Sequence, residues 1–382
     1  MRKLFFFSLL MAAILMVSCE KKSQTLKLDQ LKRVDFSKEG VQKIISETKT
    51  GNVVYDNDAK KYKYEYRITV QKPYLLAPLS VVPEAAISDV IYPGSIIRGD
   101  EFIKAKYASV TMKNDFEPVD LSVTLNGKDI KVSKSVIPTL SQVRQARNDL
   151  IAGQMDKIRG EFIPAIIQYD NHEITTEESF KRTLKIHASI EVIGGIAKGS
   201  FGYDESKSSN TKEKYVMIAF RQFLYNMAID PKHYSKWIKG DIDTHDMGDY
   251  EPLYISSVDY GRTGYILLKT TQTAEEAKKT IEAAISVAIK YGKGESGLKY
   301  SEDFTKLFSE KRITIKIVGG PAELAAGVNS PESFADFIKA PKAEELIASS
   351  APIAYKVRRL RDNTEVDVMD VYKEFFYELR DN

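Results

Sequence analysis

The sequence predicts an α+β fold organised around a few very long strands, and three observations carry that prediction. The first is Leu253–Thr271, where Tyr254, Val258, Tyr260, Tyr265, Ile266 and Leu267 suit a pleated surface and no proline interrupts the run. The second is Tyr215–Met227, apolar on both faces as a strand covered from both sides would be. The third is a pair of segments beside these strands whose apolar positions fit two structures. Ile281, Ala283, Ile285, Val287, Ile289 and Tyr291 fall on every second position, the period of a strand with one apolar face. Yet Ile281, Ile285, Ala288 and Ile289 also share a helical face, and Ala274–Lys279 has strong helix-former composition. Leu184, Ile186, Ala188, Ile190, Val192, Gly194 and Ile196 repeat the ambiguity. Each run is long enough for a membrane strand, which needs roughly 9–11 residues. Alternation alone favours an ordinary amphipathic helix for both.

In chain order, Arg2 and Lys3 precede the apolar run Leu4–Val17, which closes at Ser18-Cys19. This is a targeting segment, too short for an ordinary spanning helix. Its end is similar to a bacterial lipoprotein signal, so residues 1–19 are expected to be removed up to Cys19, which would carry the lipid. Residues 20–45 are expected to be a tether, and 46–382 the folded region. Alternating strand-like stretches run from Tyr62 to Val81 and from Val90 to Ile97, with Pro93-Gly94 as a turn. Tyr107–Met112 and Val119–Leu125 are strand-like, and Asn126-Gly127 suits a tight hairpin. A helix follows Pro138, capped by Thr139 or Ser141, with Val143, Ala146, Leu150 and Gln154 on one face. Phe162–Tyr169 and Ile313–Val318 are strand-like, and the latter ends in Gly319-Gly320. Ser330–Ile347 is helical, and Ile353–Leu379 begins as a strand.

The 56 Lys+Arg nearly balance 53 Asp+Glu, so charge does not suggest a nucleic-acid partner. Four histidines and one cysteine weaken zinc and nucleophilic chemistry, and Cys19 has no partner for a disulfide. Gly292 to Gly297 (GKGESG) satisfies a dinucleotide fingerprint but lacks a strand–helix–strand frame, which leaves a flexible turn. Asp241, Asp243, His245, Asp246 and Asp249 miss the glycine and glutamate of a calcium loop and are read as solvated. His172 and His187 lie near acidic residues without a nucleophile in a known motif. No enzyme, metal site or cofactor is expected.

Several stretches, taken together and in order, resemble the cholesterol-dependent cytolysins, also called thiol-activated cytolysins. They are Ile91-Tyr92-Pro93-Gly94, PTLSQVRQARNDLIAGQ at Pro138–Gln154, Gln168-Tyr169, and EKYVMIAFRQFLYNM at Glu213–Met227. Tyr260-Gly261-Arg262, IKIVGG at Ile315–Gly320, Pro352-Ile353-Ala354-Tyr355 and Leu360-Arg361-Asp362-Asn363 complete the series. The resemblance implies a pore-forming protein with an elongated fold. A bent central antiparallel sheet would be flanked by two helix clusters, mainly within 165–320, that refold into hairpins of a large barrel after ring assembly. The alternating windows fall where those clusters belong, which reverses the preference for plain helices. It implies Leu184, Ile186, Ile190, Val192, Ile281, Ile285, Val287 and Ile289 as membrane-inserting positions. Tyr169 and Tyr260-Gly261-Arg262 would form the core motif, and Gly319-Gly320 the hinge of an edge strand.

Three departures qualify the carry-over. The family's fourth, membrane-reading domain, with its tryptophan-rich undecapeptide, is expected to be absent: Cys19 and Trp237 are the single cysteine and tryptophan. Direct cholesterol recognition is therefore not carried over. Ile313 stands where an aromatic would meet Tyr169 of a neighbouring subunit, and the first hairpin's return, DESKSSNTKEK, has no apolar face. The expected partners are membrane lipid, further copies of the chain and a longer cytolysin-like relative, as in short lipoproteins of the Bacteroidota. The expected location is exported, lipid-anchored to the bacterial envelope or released. The rival reading is a non-lytic surface lipoprotein that uses the fold for binding or immunity.

Overall fold

The structure is a computed structural model and describes residues 28–36, 42–81, 89–111, 115–125, 127–158, 166–203, 213–240, 247–291, 299–321, 328–339 and 343–381. Strands β1 (Lys43–Asp56), β2 (Lys61–Leu76), β3 (Leu79–Ser80) and β4 (Ile96–Ile97) precede helix α1 (Gly99–Ile103). Strands β5 (Val119–Val123) and β6 (Ser133–Val136) lead to α2 (Leu140–Leu150) and β7 (Ile166–Ile174). Helices α3 (Glu177–Leu184) and α4 (Ile190–Gly195) come before the long strands β8 (Lys214–Ile229) and β9 (Leu253–Thr270). Then follow α5 (Ala274–Tyr291), α6 (Glu302–Ser309), β10 (Ile313–Val318), α7 (Pro331–Lys339), α8 (Ala343–Ala348), β11 (Ala351–Arg359) and β12 (Val368–Arg380).

Strands β8 and β9 pair antiparallel along nearly their whole length, from Lys214↔Thr270 to Ala228↔Ser257. At one end they are flanked by β7, on β8, and β10, on β9. At the other end β5 and β11 take over those edges. The changeover coincides with a register shift between Phe223 and Tyr225. Around β7–β10 both sheet faces are covered. Met217, Ala219, Tyr265 and Leu267 face α3 and α4, while Val216, Ile218, Phe220, Ile266 and Leu268 face α5, α6 and α7. Alternate residues thus serve opposite cores, which explains why the sequence is apolar on both faces. A second sheet, β1-β2-β12, forms a ribbon whose outer strand β1 is exposed for almost all of its 14 residues.

Several expectations are corrected. Of the stretch taken as a tether, 20–45, residues 28–36 and 42–45 are described, and 28–36 dock on the main core. Leu28, Leu31, Val34 and Phe36 are buried in the main core, and the buried Glu251 carboxylate accepts the Val34 amide at 3.0 Å beside Arg359 and Arg361. Apolar residues spaced through a charged stretch are enough to dock it when the neighbouring charges find partners. Strand β1 likewise starts at Lys43. Of Val90–Ile97 only Ile96-Ile97 is strand, because Pro93 has no amide to donate and Ser95 N closes a turn onto Tyr92 O. Of Tyr107–Met112, the described residues 107–111 supply one bridge, Ser109 to Ile97. Strands β5 and β6 pair from Val119↔Val136 to Ser122↔Ser133, and Gly127 bridges to Ile158; Asn126 of the expected turn lies outside the described residues. Thr139 occupies the cap position of α2 without a side-chain capping bond.

Candidate functional site

The second ambiguous window is one helix, and the first is two short helices, α3 and α4, joined by a non-helical link at 185–189; the two lie on opposite faces of the β7–β10 sheet. Helix α5 starts with a reciprocal cap, Glu276 N donating to Thr273 Oγ1 and Thr273 N to the Glu276 carboxylate. It buries Ala277, Ile281, Ala284, Ile285 and Ala288 against the sheet. This 3.6-residue stripe cuts across the two-residue pattern, so Val287 is half-buried and Ile289 is 52% exposed.

On the other face α3 is capped by Thr176 and Ser179, and Lys185 ends it with φ +54°. Leu184, Ile186, Ala188, Ile193 and Ile196 are buried, while Ile190 and Val192 are 43% and 46% exposed. Helix α4 has six residues and passes into one wide π turn, Ile196–Ser200. Its sequence is poor for a helix: Gly194, Gly195 and Gly199 together cost roughly 3 kcal/mol relative to alanine, and Ile190, Val192, Ile193 and Ile196 are β-branched.

Polar contacts latch this first cluster to the ribbon. Lys181 pairs with Asp370, Thr176 Oγ1 donates to Lys373 O at 2.6 Å, and Phe375 N donates to Thr175 Oγ1 at 3.3 Å. The Glu178 carboxylate accepts the Lys373 amide at 2.9 Å. Asp170 of β7 holds Lys185 at 2.8 Å and His172 at 3.0 Å. Burial raises the Asp170 pKa, but those two partners outweigh it and hold the carboxyl well below the usual range. The other histidine, His187, is buried, with Nε2 on the Phe102 carbonyl.

The core-motif residues converge at the changeover of the sheet. Tyr260 stacks on Tyr225 with centroids 5.1 Å apart and planes 8° apart, and the Arg147 guanidinium lies 4.6 Å over its ring. A Cβ on Gly261 would sit 2.1 Å from Gln222 O, and one on Gly319 would sit 2.4 Å from Gly261 O. Motif and hinge are therefore one contact, closed only because both residues lack side chains. Gly319 and Gly320 have φ of +75° and +87° where β10 leaves the sheet. Arg262 is buried without a carboxylate. It donates to Gln222 Oε1 at 2.6 Å, to Ile338 O at 2.5 Å and to Phe337 O, which caps the C-terminus of α7. Burial lowers its pKa to about 10, so the cation persists at neutral pH. Tyr169 sits on β7 opposite Phe220, half-buried in the α5 core, its pKa pushed up to about 12 by burial and the Glu282 carboxylate.

Sequence reasoning missed Arg221, whose guanidinium reaches Ser80 Oγ at 3.0 Å and Leu184 O at 3.5 Å and so ties the first cluster's end to the sheet. A lone arginine in an apolar strand was the available signal. Cys19, Gly292 to Gly297, Asp241, Asp243, His245, Asp246 and the return segment 204–212 lie outside the described residues. Asp249 is exposed beside Lys32.

The sequence model of the family described as thiol-activated cytolysin matches residues 75–374. The chain belongs to the thiol-activated cytolysin family. Perfringolysin O of Clostridium perfringens is 24% identical over 304 residues, covering 75% of this chain and 57% of the relative. Seeligeriolysin of Listeria seeligeri is 27% identical over 301 residues, covering 75% and 53%. The chain thus spans about half the length of these curated relatives. Among solved structures, the human-specific toxin intermedilysin superposes with a TM-score of 0.63 at 21% identity, over 93% of this chain and 73% of that one. The cytotoxin suilysin of Streptococcus suis gives 0.64 at 22%, over 88% and 71%. The fold is that of the cytolysins.

Proposed function

We propose that this chain is a pore-forming protein that assembles with copies of itself on a membrane and unwinds its two helix clusters into β-hairpins of a shared barrel. The observation that carries this reading is the outward side of the helices. Ile190, Val192 and Ile289 are substantially exposed apolar residues that helical packing does not use, yet they complete the every-second-residue face with Leu184, Ile186, Ile281, Ile285 and Val287. Among the described residues no helix is long and apolar enough to cross a membrane, so insertion would use strands. Strands in hydrocarbon require a closed barrel, and hence oligomerisation.

Both clusters spring from one end of the sheet, beside the paired residues Ile174↔Tyr215, Lys214↔Thr270 and Leu268↔Ile313, so extended hairpins would continue the existing ladders. In this reading Tyr169 and the β10 edge supply subunit contacts, and Gly319-Gly320 lets β10 move. The leader ending at Cys19 makes the chain an exported lipoprotein that works with a longer relative for targeting. Ile313, an isoleucine on the β10 edge, favours a second reading, a non-lytic binding protein.

The test is dye release from liposomes by the full chain, alone and with a longer relative. Ile289→Glu should abolish release without altering thermal unfolding. Unchanged release in that variant would remove the hairpin reading.

A further inference from the structure

We infer that Gly194-Gly195 is the turn of the first membrane hairpin, and that Lys198 exchanges its carboxylate partner, from Glu177 in the folded cluster to Glu191 across that hairpin; this rests on the pore-forming reading above. The turn follows from the register already present in the sheet. Strands β7 and β8 pair without a shift from Ile166↔Phe223 to Ile174↔Tyr215. Continued through the first cluster, that register becomes Ile186↔Tyr203, Ala188↔Phe201, Ile190↔Gly199 and Val192↔Ala197, and the strands meet at Gly194-Gly195. A two-residue hairpin turn takes positive φ at both central positions, which two glycines adopt without strain. In the folded cluster the same two residues are the end of helix α4.

The rows of this hairpin divide by chemistry. The four rows above place apolar or small residues on one face. Between them fall His187↔Gly202, Ser189↔Ser200 and Glu191↔Lys198, with Ile193↔Ile196 closing the turn. The return strand therefore has an apolar face of Ala197, Gly199, Phe201 and Tyr203. The second hairpin agrees through separate registers. Continuing Lys214↔Thr270 of β8 and β9 sets Tyr203 beside Ile281, Phe201 beside Ala283 and Gly195 beside Ile289, apolar face next to apolar face. Continuing Leu268↔Ile313 of β9 and β10 brings the second turn to Lys290-Tyr291, within one residue of the depth of Gly194-Gly195. A slip of one residue would set each apolar face against a polar one. Leu184–Ile193 and Ile281–Lys290, at about 3.3 Å per residue and tilted as barrel strands are, each match an apolar band about 25 Å tall.

Glu177 clasps these residues in the helical form. Its carboxylate pairs with Lys198 at 2.8 Å, and a Cβ on Gly194 would come within 2.6 Å of its Oε2. Glu191 is exposed. Unwinding carries Lys198 away from Glu177 and sets it directly opposite Glu191, so the cation passes from one carboxylate to another.

The experiment compares dye release from phosphatidylcholine liposomes, with and without cholesterol, for variants of the full chain supplied alone and with a longer relative. A Cβ on Gly195 meets nothing within 4 Å in the folded cluster, and valine and asparagine are similar helix formers, so Gly195→Val and Gly195→Asn should melt alike. At the turn they differ, because asparagine accepts positive φ and a β-branched residue does not. Gly195→Asn should release dye within about threefold of the wild type, and Gly195→Val at least about tenfold more slowly. Gly199→Val, equally open in the cluster but mid-strand in the hairpin, should release like the wild type. Glu191→Lys and Lys198→Glu should each slow release by about fivefold, and the double reversal should restore it. Equal release by Gly195→Val and Gly195→Asn overturns the turn. A double reversal no faster than the single ones overturns the partner exchange. In either case a silent Ile289→Glu leaves the pore reading standing. Release by Ile289→Glu at the wild-type rate, or a wild type that releases nothing, overturns the pore reading and this inference together.

Discussion

The two helix clusters cover opposite faces of one sheet, each on its own apolar core, but among the described residues only the first is also tied by polar contacts to β12. Helix α5 is a helix by its own composition, capped at its start, and it stays down through a continuous apolar stripe of Ala277, Ile281, Ala284, Ile285 and Ala288. The α3–α4 segment is a reluctant helix, short and rich in glycine and β-branched residues. Ion pairs and backbone bonds to β12, with Arg221 and Asp170, hold it from outside. Both clusters must lose apolar packing to move, and the first must also lose its latch. On the proposed function, an added latch on one cluster would let the two open at different costs.

The difference can be sharpened by substitution. Ile285→Ala should cost about 3 kcal/mol of stability in chemical denaturation, because Ile285 is fully buried in the α5 core. Ile190→Ala should cost less than about 0.5 kcal/mol, because that side chain already faces solvent. Equal costs would erase the contrast. A smaller effect is expected from the latch. Lys181→Met with Asp370→Asn should speed amide exchange across α3 and α4 by about fivefold and leave α5 unchanged, since such a partly exposed pair is worth about 1 kcal/mol. Uniform acceleration in both clusters would mean that they open as one unit.

The smallest effect concerns acid. The Asp170 carboxyl is held below its unfolded value near 3.9, so its clamp on Lys185 and His172 is fully present above about pH 4 and fades as pH falls further. Thermal unfolding should drop between pH 5 and pH 3 in the wild type, and by a few degrees less in Asp170→Asn. An identical drop in both would remove Asp170 from the account.

Much of this fold is legible in the sequence because the long strands obey simple rules. Tyr215–Met227 and Leu253–Thr271 are covered on both faces, so they read as apolar throughout, and β10 and β11 lie close to where their patterns place them, whereas β12 (Val368–Arg380) falls in a stretch read as a strand only at its start. What escapes is what depends on distant partners. Strand β1, KIISETKTGNVVYD, is exposed along its length and carries no burial pattern to read. Leu28–Phe36 docks only because Glu251, Arg359 and Arg361 satisfy its surroundings. The capping role of Arg262 depends on α7, which begins nearly seventy residues later. The ambiguous windows stay ambiguous for a physical reason: their residues serve a helix on the sheet and suit a strand beside it.

That double fit is the central claim, and Ile289 tests it most directly. Ile289 projects from α5 into solvent, so Ile289→Glu leaves the helical packing untouched and, in the proposed hairpin, would place a carboxylate on the lipid face. The account predicts that this variant folds, melts and assembles like the wild type but releases no dye from liposomes that the wild type empties. Release at the wild-type rate would contradict it, because the alternating face would then have no part in the membrane.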